Sequence, residues 1–291
     1  SSSNYPIGIS YKSGTSAQLK SAVILAVLNS YGNTEVLENL RSRDHTENML
    51  KKNDQTIKIN NRKIKNIKII GKQNLENFSI NVPGDPSSAA FFTALTLLKN
   101  NSYLKIKNVG LNPTRIGFYT LLKKSGAKIT FSKRRKVNNE LVGDVIVKSS
   151  TLKPINASKK YYLNTTDEYP ILFIISALTK GNSVFSGISD LKNKESDRVK
   201  EMQKILKQIG IFSKFDKGKL LIKGKKIEKN KIKKIKVQDL GDHRICMSAA
   251  ILGLITGFET KIKNFETVGT SSPSFLKIIK QLGGSFEKKN I

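Results

Sequence analysis

The sequence has no apolar run long enough to cross a membrane. Its longest apolar stretch, YPILFIISAL from Tyr169 to Leu178, lies in mid-chain, whereas a membrane-spanning helix needs about 20 apolar residues. The N-terminus shows neither a basic leader nor an apolar segment of the kind that directs export. From these absences we expect a soluble protein without an export signal or a membrane partner.

Cysteine is almost absent as well. Cys246 is the single cysteine, and it lies within the apolar run RICMSAAILGL. One cysteine cannot form a disulfide within the chain, and it does not suggest a cysteine-based metal site. The sequence therefore favours a reducing, cytoplasmic setting.

Acidic residues are scarce, because 22 Asp and Glu stand against 52 Lys and Arg and leave a net charge of +30. A positive net charge of this size can favour the binding of nucleic acid, anionic surfaces or anionic small substrates. Most of the lysines, however, stand in segments such as TIKINNRKIKNIKII and KGKKIEKNKIKKIK, where a strand would turn Ile inward and Lys to solvent. Without an aromatic platform, zinc finger or recognition helix beside the charge, we favour a lysine-rich solvated surface over a functional basic face.

What the chain does contain is a repeat. With 291 residues and 38% hydrophobic content it can form two domains with cores. Four segments share a polar loop, an apolar helix of about 12 to 15 residues, a turn and a short alternating strand, followed by a second, amphipathic helix. We expect the apolar helices to begin at Ser16, Ser87, Glu168 and Asp242, a period on the order of 75 residues. This pattern predicts an α/β fold of repeated helix-strand-helix-strand-strand units.

Paired strands should close the first three units. The expected pairs are TIKIN with KIKNIKII, AKITFS with DVIVKS, and the two halves of FSKFDKGKLLIKG. In every unit, the chemically active side chains stand in the two loops that enter the two helices. Helix N-termini present free N–H groups and the positive end of the helix dipole. The repeat therefore predicts that several such loops converge on an anion-binding cleft.

The polar loops carry six motifs in a fixed order. They read SGTSAQLKSA, RSRDHTE, VPGDPSSAAFF, DEYP, KESDR and GDHRICM. These motifs and their order resemble those of the 5-enolpyruvylshikimate-3-phosphate synthase family. Six ordered motifs spread over nearly the whole chain are far more specific than any one of them.

The resemblance implies an enolpyruvyl transferase fold of the inside-out α/β barrel type, with two lobes of three βαβαββ units and the site between them. Residues 4–81 would be the last unit of an incomplete N-terminal lobe, and residues 82–291 would be the second lobe of three units. Two units, about 150 residues at this period, would be missing on the N-terminal side. In the family that part holds a Lys-Ser pair and a glycine-rich segment with an arginine, so we expect this chain to be inactive or very weak alone.

The activity implied by the resemblance is transfer of the enolpyruvyl group of phosphoenolpyruvate to the 5-hydroxyl of shikimate 3-phosphate, with release of phosphate. This is a step of the shikimate pathway towards chorismate and the aromatic amino acids. It requires neither a metal nor an organic cofactor. The implied partners are thus the two small-molecule substrates.

Asp167 precedes an apolar helix, so from the residues alone it could simply be that helix's N-cap. The resemblance instead makes Asp167 the candidate base for the 5-hydroxyl and a partner of the shikimate ring hydroxyls. The role of the adjacent Glu168 stays open.

In KESDR, the residues alone predict a solvated helix start with Ser196 as its cap. By resemblance, Lys194 contacts shikimate 3-phosphate and stabilises developing charge, and Glu195 transfers a proton at the methylene carbon of phosphoenolpyruvate. Arg198 would pair with phosphoenolpyruvate, since a guanidinium fork suits a carboxylate or phosphate. We expect Asp197 to be a structural charge.

GDHRICM begins another apolar helix, and Asp242 can cap it. By resemblance, Arg244 is the second phosphoenolpyruvate arginine. A cation at a helix N-terminus works against the dipole. Its presence there favours a bound anionic ligand nearby.

The remaining candidates lie near the N-terminus. By resemblance, Ser16, Ala17 and Gln18 hold the phosphate of shikimate 3-phosphate, and Gln18 also reaches the second substrate. From the residues alone, Ser16 could instead cap its helix. Arg43 would be the matching phosphate cation, and Ser42 is a weaker candidate. The chain departs from the family's pattern in the C-terminal loop, where some family members carry a lysine and this chain has Thr270.

The sequence leaves two alternative functions, and it also predicts an exposed apolar surface. The sister enzyme that transfers enolpyruvate to UDP-N-acetylglucosamine shares the fold, although KESDR and DHR argue against it. A basic nucleic-acid-binding protein could reuse the same fold, but we expect no specific nucleic acid. Residues 4–81 should expose apolar surface from AVILAVL unless the missing N-terminal part or another copy covers it.

Overall fold

A computed structural model describes residues 7–51, 55–61, 63–73, 75, 77, 79–227 and 234–289. The chain forms four successive α/β units, as the repeat predicts. The apolar helices begin at Ala17, Pro86, Tyr169 and His243, each one residue away from its expected start. Within the described residues, no helix is long and apolar enough to cross a membrane.

The first unit is a complete βαβαββ unit. Its elements are β1 (Ser10–Ser13), α1 (Ala17–Val27), β2 (Asn33–Glu38), α2 (His45–Leu50), β3 (Ile57–Asn61) and β4 (Lys65–Ile70). The sheet order is β1-β2-β4-β3, with β1 parallel to β2 and the other pairs antiparallel. The predicted pairing of TIKIN with KIKNIKII is thus confirmed.

The second unit repeats this topology. Its elements are α3 (Pro86–Leu98), β5 (Tyr103–Gly110), α4 (Gly117–Lys124), β6 (Lys128–Val137) and β7 (Glu140–Lys148). The sheet order is β5-β7-β6, and a single parallel bridge between Gly84 and Val109 stands where the first unit has β1. The predicted hairpin of AKITFS with DVIVKS is confirmed.

The third unit is again complete. Its elements are β8 (Asn156–Ala157), α5 (Tyr169–Leu178), β9 (Gly181–Ser186), α6 (Arg198–Gln208), β10 (Phe212–Asp216) and β11 (Lys219–Gly224). The sheet order is β10-β11-β9-β8. Two short 3-10 helices, Thr166–Glu168 and Ser189–Asn193, lead towards α5 and α6.

The fourth unit has two parallel strands. Its elements are β12 (Lys234–Val237), α7 (His243–Thr256), β13 (Glu259–Ile262) and α8 (Phe275–Gln281). Within the described residues no antiparallel pair follows α8. Part of the lysine and isoleucine run predicted to alternate, residues 228–233, lies outside the described residues.

Two separate hydrophobic clusters form the core. The large one extends from Ala89 to Ile279 and includes α3, α5 and α7, which pack against one another. These helices are apolar on nearly all sides, as helices buried on every side must be. The small cluster belongs to the first unit and includes Ile24, Val36 and Ile67.

The helix α1 is buried on one side only. Leu19 is 60% exposed and Leu25 is 47% exposed, although Ile24 between them is fully buried. The expectation that residues of AVILAVL leave apolar surface exposed is therefore confirmed for Leu25.

Candidate functional site

Three arginines from three different units converge on Asp167. Arg43 stands in the loop between β2 and α2, while Arg198 and Arg244 lie in the first turns of α6 and α7. Arg43 NH2 lies 2.5 Å from Asp167 Oδ2, Arg198 NH1 lies 3.9 Å from Oδ1, and Arg244 NH2 lies 4.0 Å from Oδ2. The structure therefore brings four of the predicted site residues together at the starts of the helices.

Asp167 does not cap α5. The residue before that helix is Glu168, which makes no side-chain capping bond, and Asp167 belongs to the preceding 3-10 turn. The capping alternative drawn from the sequence was therefore wrong. The 3-10 turn lets the Asp167 carboxylate accept a hydrogen bond from Arg43.

Asp167 is held in its ionised form. Burial alone would raise its pKa, but the positive charges of Arg43 and Arg244 outweigh burial and hold the pKa well below the ordinary range of an aspartate. A carboxylate with so low a pKa accepts a proton poorly.

The pKa of the neighbouring Glu168 is shifted in the opposite direction. Burial and then the negative charge of Asp167 raise the pKa of Glu168 to about 7. Ser87 Oγ donates a hydrogen bond to Glu168 Oε1 and accepts one of 2.8 Å from Arg115 NH2. Arg115 NH2 also lies 2.7 Å from Asp85 Oδ1. These contacts tie the turn that carries Asp167 to the start of α3.

Among the described residues, Arg198 and Arg244 keep hydrogen-bond donors without a hydrogen-bond partner. Arg198 donates from Nε to Asp242 Oδ2 at 3.0 Å and from NH2 to Glu195 Oε2 at 2.5 Å. Arg198 NH1 and Arg244 Nε and NH1 are buried, and they donate no hydrogen bond to the described part of the chain. Because unpaired buried donors are costly, both guanidinium groups are suited to an incoming anion.

Asp242 anchors this arrangement and caps α7. Its Oδ1 accepts from the backbone N–H of Arg244 at 2.9 Å, and its Oδ2 accepts from Ser196 Oγ at 2.9 Å. The expected cap at Asp242 is confirmed. Ser196 was wrongly expected to cap α6, because Asp197 performs that role by accepting from the N–H of Lys200 at 2.9 Å. Asp197 is thus a structural charge, as expected.

Lys194 lies outside the ion pairs around Asp167. Its Nζ lies 2.8 Å from Asp190 Oδ2, which also accepts a hydrogen bond of 2.5 Å from the Tyr162 hydroxyl. Lys194 is therefore held by the 3-10 helix that precedes it. Its role towards a substrate stays a prediction.

The Ser16-Ala17-Gln18 motif lies at the start of α1. Ser16 Oγ accepts from the N–H of Leu19 at 3.3 Å, which confirms Ser16 as a cap. Gln18 is exposed and Ala17 half-buried. Ser42 is buried, and its hydroxyl donates to Glu38 Oε1 at 2.6 Å. The structure does not place these residues against Asp167, and their ligand contacts stay predictions.

Sequence reasoning missed Arg115 and the buried Glu38. Arg115 stands before α4, the same place in the second unit that Arg43 occupies in the first, so the repeat itself could have identified it. For Glu38 the available signal was indirect. Its partner Lys20 is a charged residue inside the otherwise apolar segment LKSAVILAVL.

Comparison with known proteins gives matches over most of the chain. Residues 7–279 match the family model described as EPSP synthase (3-phosphoshikimate 1-carboxyvinyltransferase). The 3-phosphoshikimate 1-carboxyvinyltransferase of Zymomonas mobilis is 41% identical over 275 residues, which cover 94% of this chain and 61% of the relative. The enzyme of the same name from Aquifex aeolicus is 40% identical, over 92% of this chain and 62% of the relative.

Solved structures agree with the sequence matches. The EPSP synthase of Acinetobacter baumannii superposes with a TM-score of 0.86 at 34% identity, over 98% of this chain and 64% of that one. The enolpyruvyl transferase NikO from Streptomyces tendae superposes with a TM-score of 0.68 at 13% identity, over 97% and 65% of the two chains. This second likeness concerns the fold alone. The chain thus spans less than two thirds of the length of these relatives.

Proposed function

Because the chain belongs to the EPSP synthase family, we propose that it carries one side of a site that transfers the enolpyruvyl group of phosphoenolpyruvate to the 5-hydroxyl of shikimate 3-phosphate. The convergence of Arg43, Arg198 and Arg244 on Asp167 is the observation that carries this proposal. Both substrates are polyanions, and buried guanidinium groups with free N–H donors suit their carboxylate and phosphate groups.

Arg198 and Arg244 would bind phosphoenolpyruvate, since both have buried donors available. Arg43, with Ser16, Ala17 and Gln18, would bind the phosphate of shikimate 3-phosphate. Ser42 would assist by holding the loop of Arg43, because its N–H and its hydroxyl both donate to Glu38. Lys194 would contact the same substrate and stabilise developing charge, after leaving its ion pair with Asp190.

Asp167 and Glu195 would move the protons. Asp167 takes the proton of the 5-hydroxyl as that oxygen bonds to C2 of phosphoenolpyruvate, and Glu195 gives a proton to C3. The C2–O bond to phosphate then breaks while C3 returns its proton, so the double bond is restored and phosphate leaves. Substrate anions that draw Arg43 and Arg244 away from Asp167 would raise its pKa towards the ordinary range, which would make it a competent base.

We propose that full activity requires the part of the relatives that this chain does not match. The chain spans about 61% of the Zymomonas mobilis enzyme, and positioning both substrates takes groups on all sides of a site. We also propose a division into residues 4–81 and residues 82–291. The separate small core around Ile24, Val36 and Ile67 supports this division.

The relatives favour the shikimate substrate over the two alternatives, UDP-N-acetylglucosamine and nucleic acid. A reducing, cytoplasmic location belongs to the same proposal. The buried, unpaired Cys246 supports it.

The test is phosphate release from shikimate 3-phosphate plus phosphoenolpyruvate. The chain should release little phosphate alone. Adding the part of the Zymomonas mobilis enzyme that this chain does not match should raise the rate at least tenfold. UDP-N-acetylglucosamine as the acceptor should release none.

Two controls make the result decisive. Asp167→Asn should abolish the gain, whereas Asp216→Asn, an equal change of charge on the β10–β11 hairpin, should not. Full activity of the chain alone would contradict the proposed need for the remaining part. Turnover of UDP-N-acetylglucosamine would contradict the proposed substrate.

A further inference from the structure

A closed ring of alternating charges lies inside the first unit. Lys20 Nζ lies 3.0 Å from Glu38 Oε1 and 2.8 Å from Glu47 Oε1. Lys65 Nζ closes the ring at 2.8 Å from Glu47 Oε1 and 3.4 Å from Glu38 Oε2. None of the four side chains is more than 6% exposed. The ring joins α1, β2, α2 and β4.

A gain in stability alone does not account well for a buried ring of four charges. Removing an ion from water into a protein interior costs several kcal/mol, and apolar replacements of buried ion pairs are often neutral or stabilising. Lys20 and Lys65 are the two buried lysines in the described part of the chain. A role beyond stability is therefore to be sought in what the ring touches.

The ring touches the loop that carries Arg43. Glu38 Oε1 accepts from the backbone N–H of Ser42 at 2.8 Å and from its hydroxyl at 2.6 Å, in addition to Lys20 Nζ. Burial alone would raise the pKa of Glu38, but the hydrogen bonds from Ser42 and Lys20 outweigh burial and lower it. Glu38 is thus an ionised acceptor that holds Ser42 from two sides.

A second contact joins the two helices that follow the loops predicted to bind phosphate. Lys20 lies in the first turn of α1, two residues after Gln18. The next residue is Ser21, whose Oγ lies 2.7 Å from Thr46 Oγ1 in α2. The first turns of α1 and α2 are therefore fixed to each other. Arg43 follows Ser42 directly and reaches Asp167 at 2.5 Å.

We propose that Glu38 is a positioning residue, which fixes Ser42 so that Arg43 points at the anion site, while the other three ring charges compensate the burial of Glu38. The geometry assigns this role to a residue that touches no substrate itself. Only the identity of the anion rests on the proposed function.

Two double variants separate positioning from stability. Lys20→Met/Glu38→Leu and Lys20→Met/Glu47→Leu remove the same residue types and leave one lysine and one glutamate in the ring. Only the first removes the acceptor of Ser42. Two properties are measured for both: the hydrogen-exchange rate of the Ser42 amide by NMR, and the affinity for shikimate 3-phosphate by calorimetry, with inorganic phosphate as a second probe.

The Glu38 variant should exchange the Ser42 amide at least tenfold faster than the wild type and bind shikimate 3-phosphate about tenfold more weakly, the effect of losing hydrogen bonds to a charged acceptor. The Glu47 variant should stay within about threefold of the wild type in both properties. Equal changes in the two variants would overturn the proposal, because they would show that Glu38 has no role beyond the stability of the ring.

If the leucine variants do not fold, the isosteric pair Lys20→Met/Glu38→Gln and Lys20→Met/Glu47→Gln provides the same comparison with smaller changes of shape. A wild type that binds neither shikimate 3-phosphate nor inorganic phosphate would contradict the proposed function. The exchange rates of Ser42 would then decide the positioning role on their own.

Discussion

Asp167 and Glu168 are adjacent in the chain, yet their surroundings move their pKa values in opposite directions. Asp167 faces Arg43 and Arg244, while Glu168 is buried beside Ser87 and feels the charge of Asp167. A pair of acids with separated pKa values is typical of sites that move protons. Within the described residues, the Glu168 side chain bonds to Ser87 and not to the three arginines around Asp167, so its effect on stability can be measured separately.

The pH dependence of the unfolding free energy should reveal the titration of the Glu168 carboxyl group. Its pKa is raised from 4.5 to about 7 in the folded chain, so the stability it contributes is complete below the unfolded value and lost as pH rises through about 7. Relative to the wild type, Glu168→Gln should therefore gain about 1 to 3 kcal/mol of unfolding free energy between pH 5 and pH 8, measured by urea unfolding.

The matched control for this titration is Glu35→Gln. The pKa of the exposed Glu35 is lowered by its hydrogen bond and ion pair with Lys68, so Glu35 stays ionised throughout that window. A constant difference between Glu168→Gln and the wild type from pH 5 to pH 8 would refute the raised pKa.

Asp167 competes with external anions for the arginines. Asp167→Asn should therefore raise the affinity of the chain for inorganic phosphate several-fold, because Arg43, Arg198 and Arg244 lose their shared counterion. Phosphorus NMR titration measures this, with Asp216→Asn as the control for net charge. Unchanged or weaker binding would show that the Asp167 carboxylate is not what occupies these arginines.

At the scale of elements, the helices could be predicted closely and the contacts between units could not. An apolar run after a polar loop is a local signal, which is why α7 begins one residue from its expected position. The 3-10 turn that aims Asp167 leaves no such pattern. The pairing of Arg43 with Asp167 joins residues 124 positions apart, so their distance depends on how whole units pack.

Two helices with the same kind of cap should differ in how much that cap contributes. Asp85 caps α3 with its side chain 39% exposed, whereas Asp242 caps α7, is fully buried and holds Arg198. Asp85→Ala should cost about 1 to 2 kcal/mol of unfolding free energy, because it removes the cap and a partly exposed ion pair with Arg115. Asp242→Ala should cost about 3 to 5 kcal/mol, because it leaves a buried guanidinium without its partner.

Urea unfolding of the two alanine variants makes this comparison. Asp242→Asn serves as the control, since it keeps an oxygen to cap α7 but removes the charge facing Arg198. If Asp85→Ala and Asp242→Ala cost the same, the buried pair with Arg198 adds nothing to the cap.

At the scale of the whole molecule, the four units are not joined alike. The last three share one apolar core. The contacts that join the first unit to them include polar ones, such as Asn112 Nδ2 with Asp44 Oδ1 at 2.7 Å and His45 Nδ1 with Glu140 Oε1 at 2.8 Å. The first unit therefore depends more on its own small core, and α1 leaves an apolar face towards solvent.

That exposed face should make the chain associate. The helices α3, α5 and α7 bury one another, whereas Leu19 and Leu25 on α1 remain largely exposed, and apolar surface of this kind favours contact with another chain. Native mass spectrometry at micromolar concentration should therefore detect oligomers of the wild type. Leu19→Lys/Leu25→Lys should shift the population to monomer, whereas Leu282→Lys, at a leucine that is 45% exposed after α8, should not. If the wild type is monomeric, the exposed apolar face of α1 does not cause association, and the prediction is wrong.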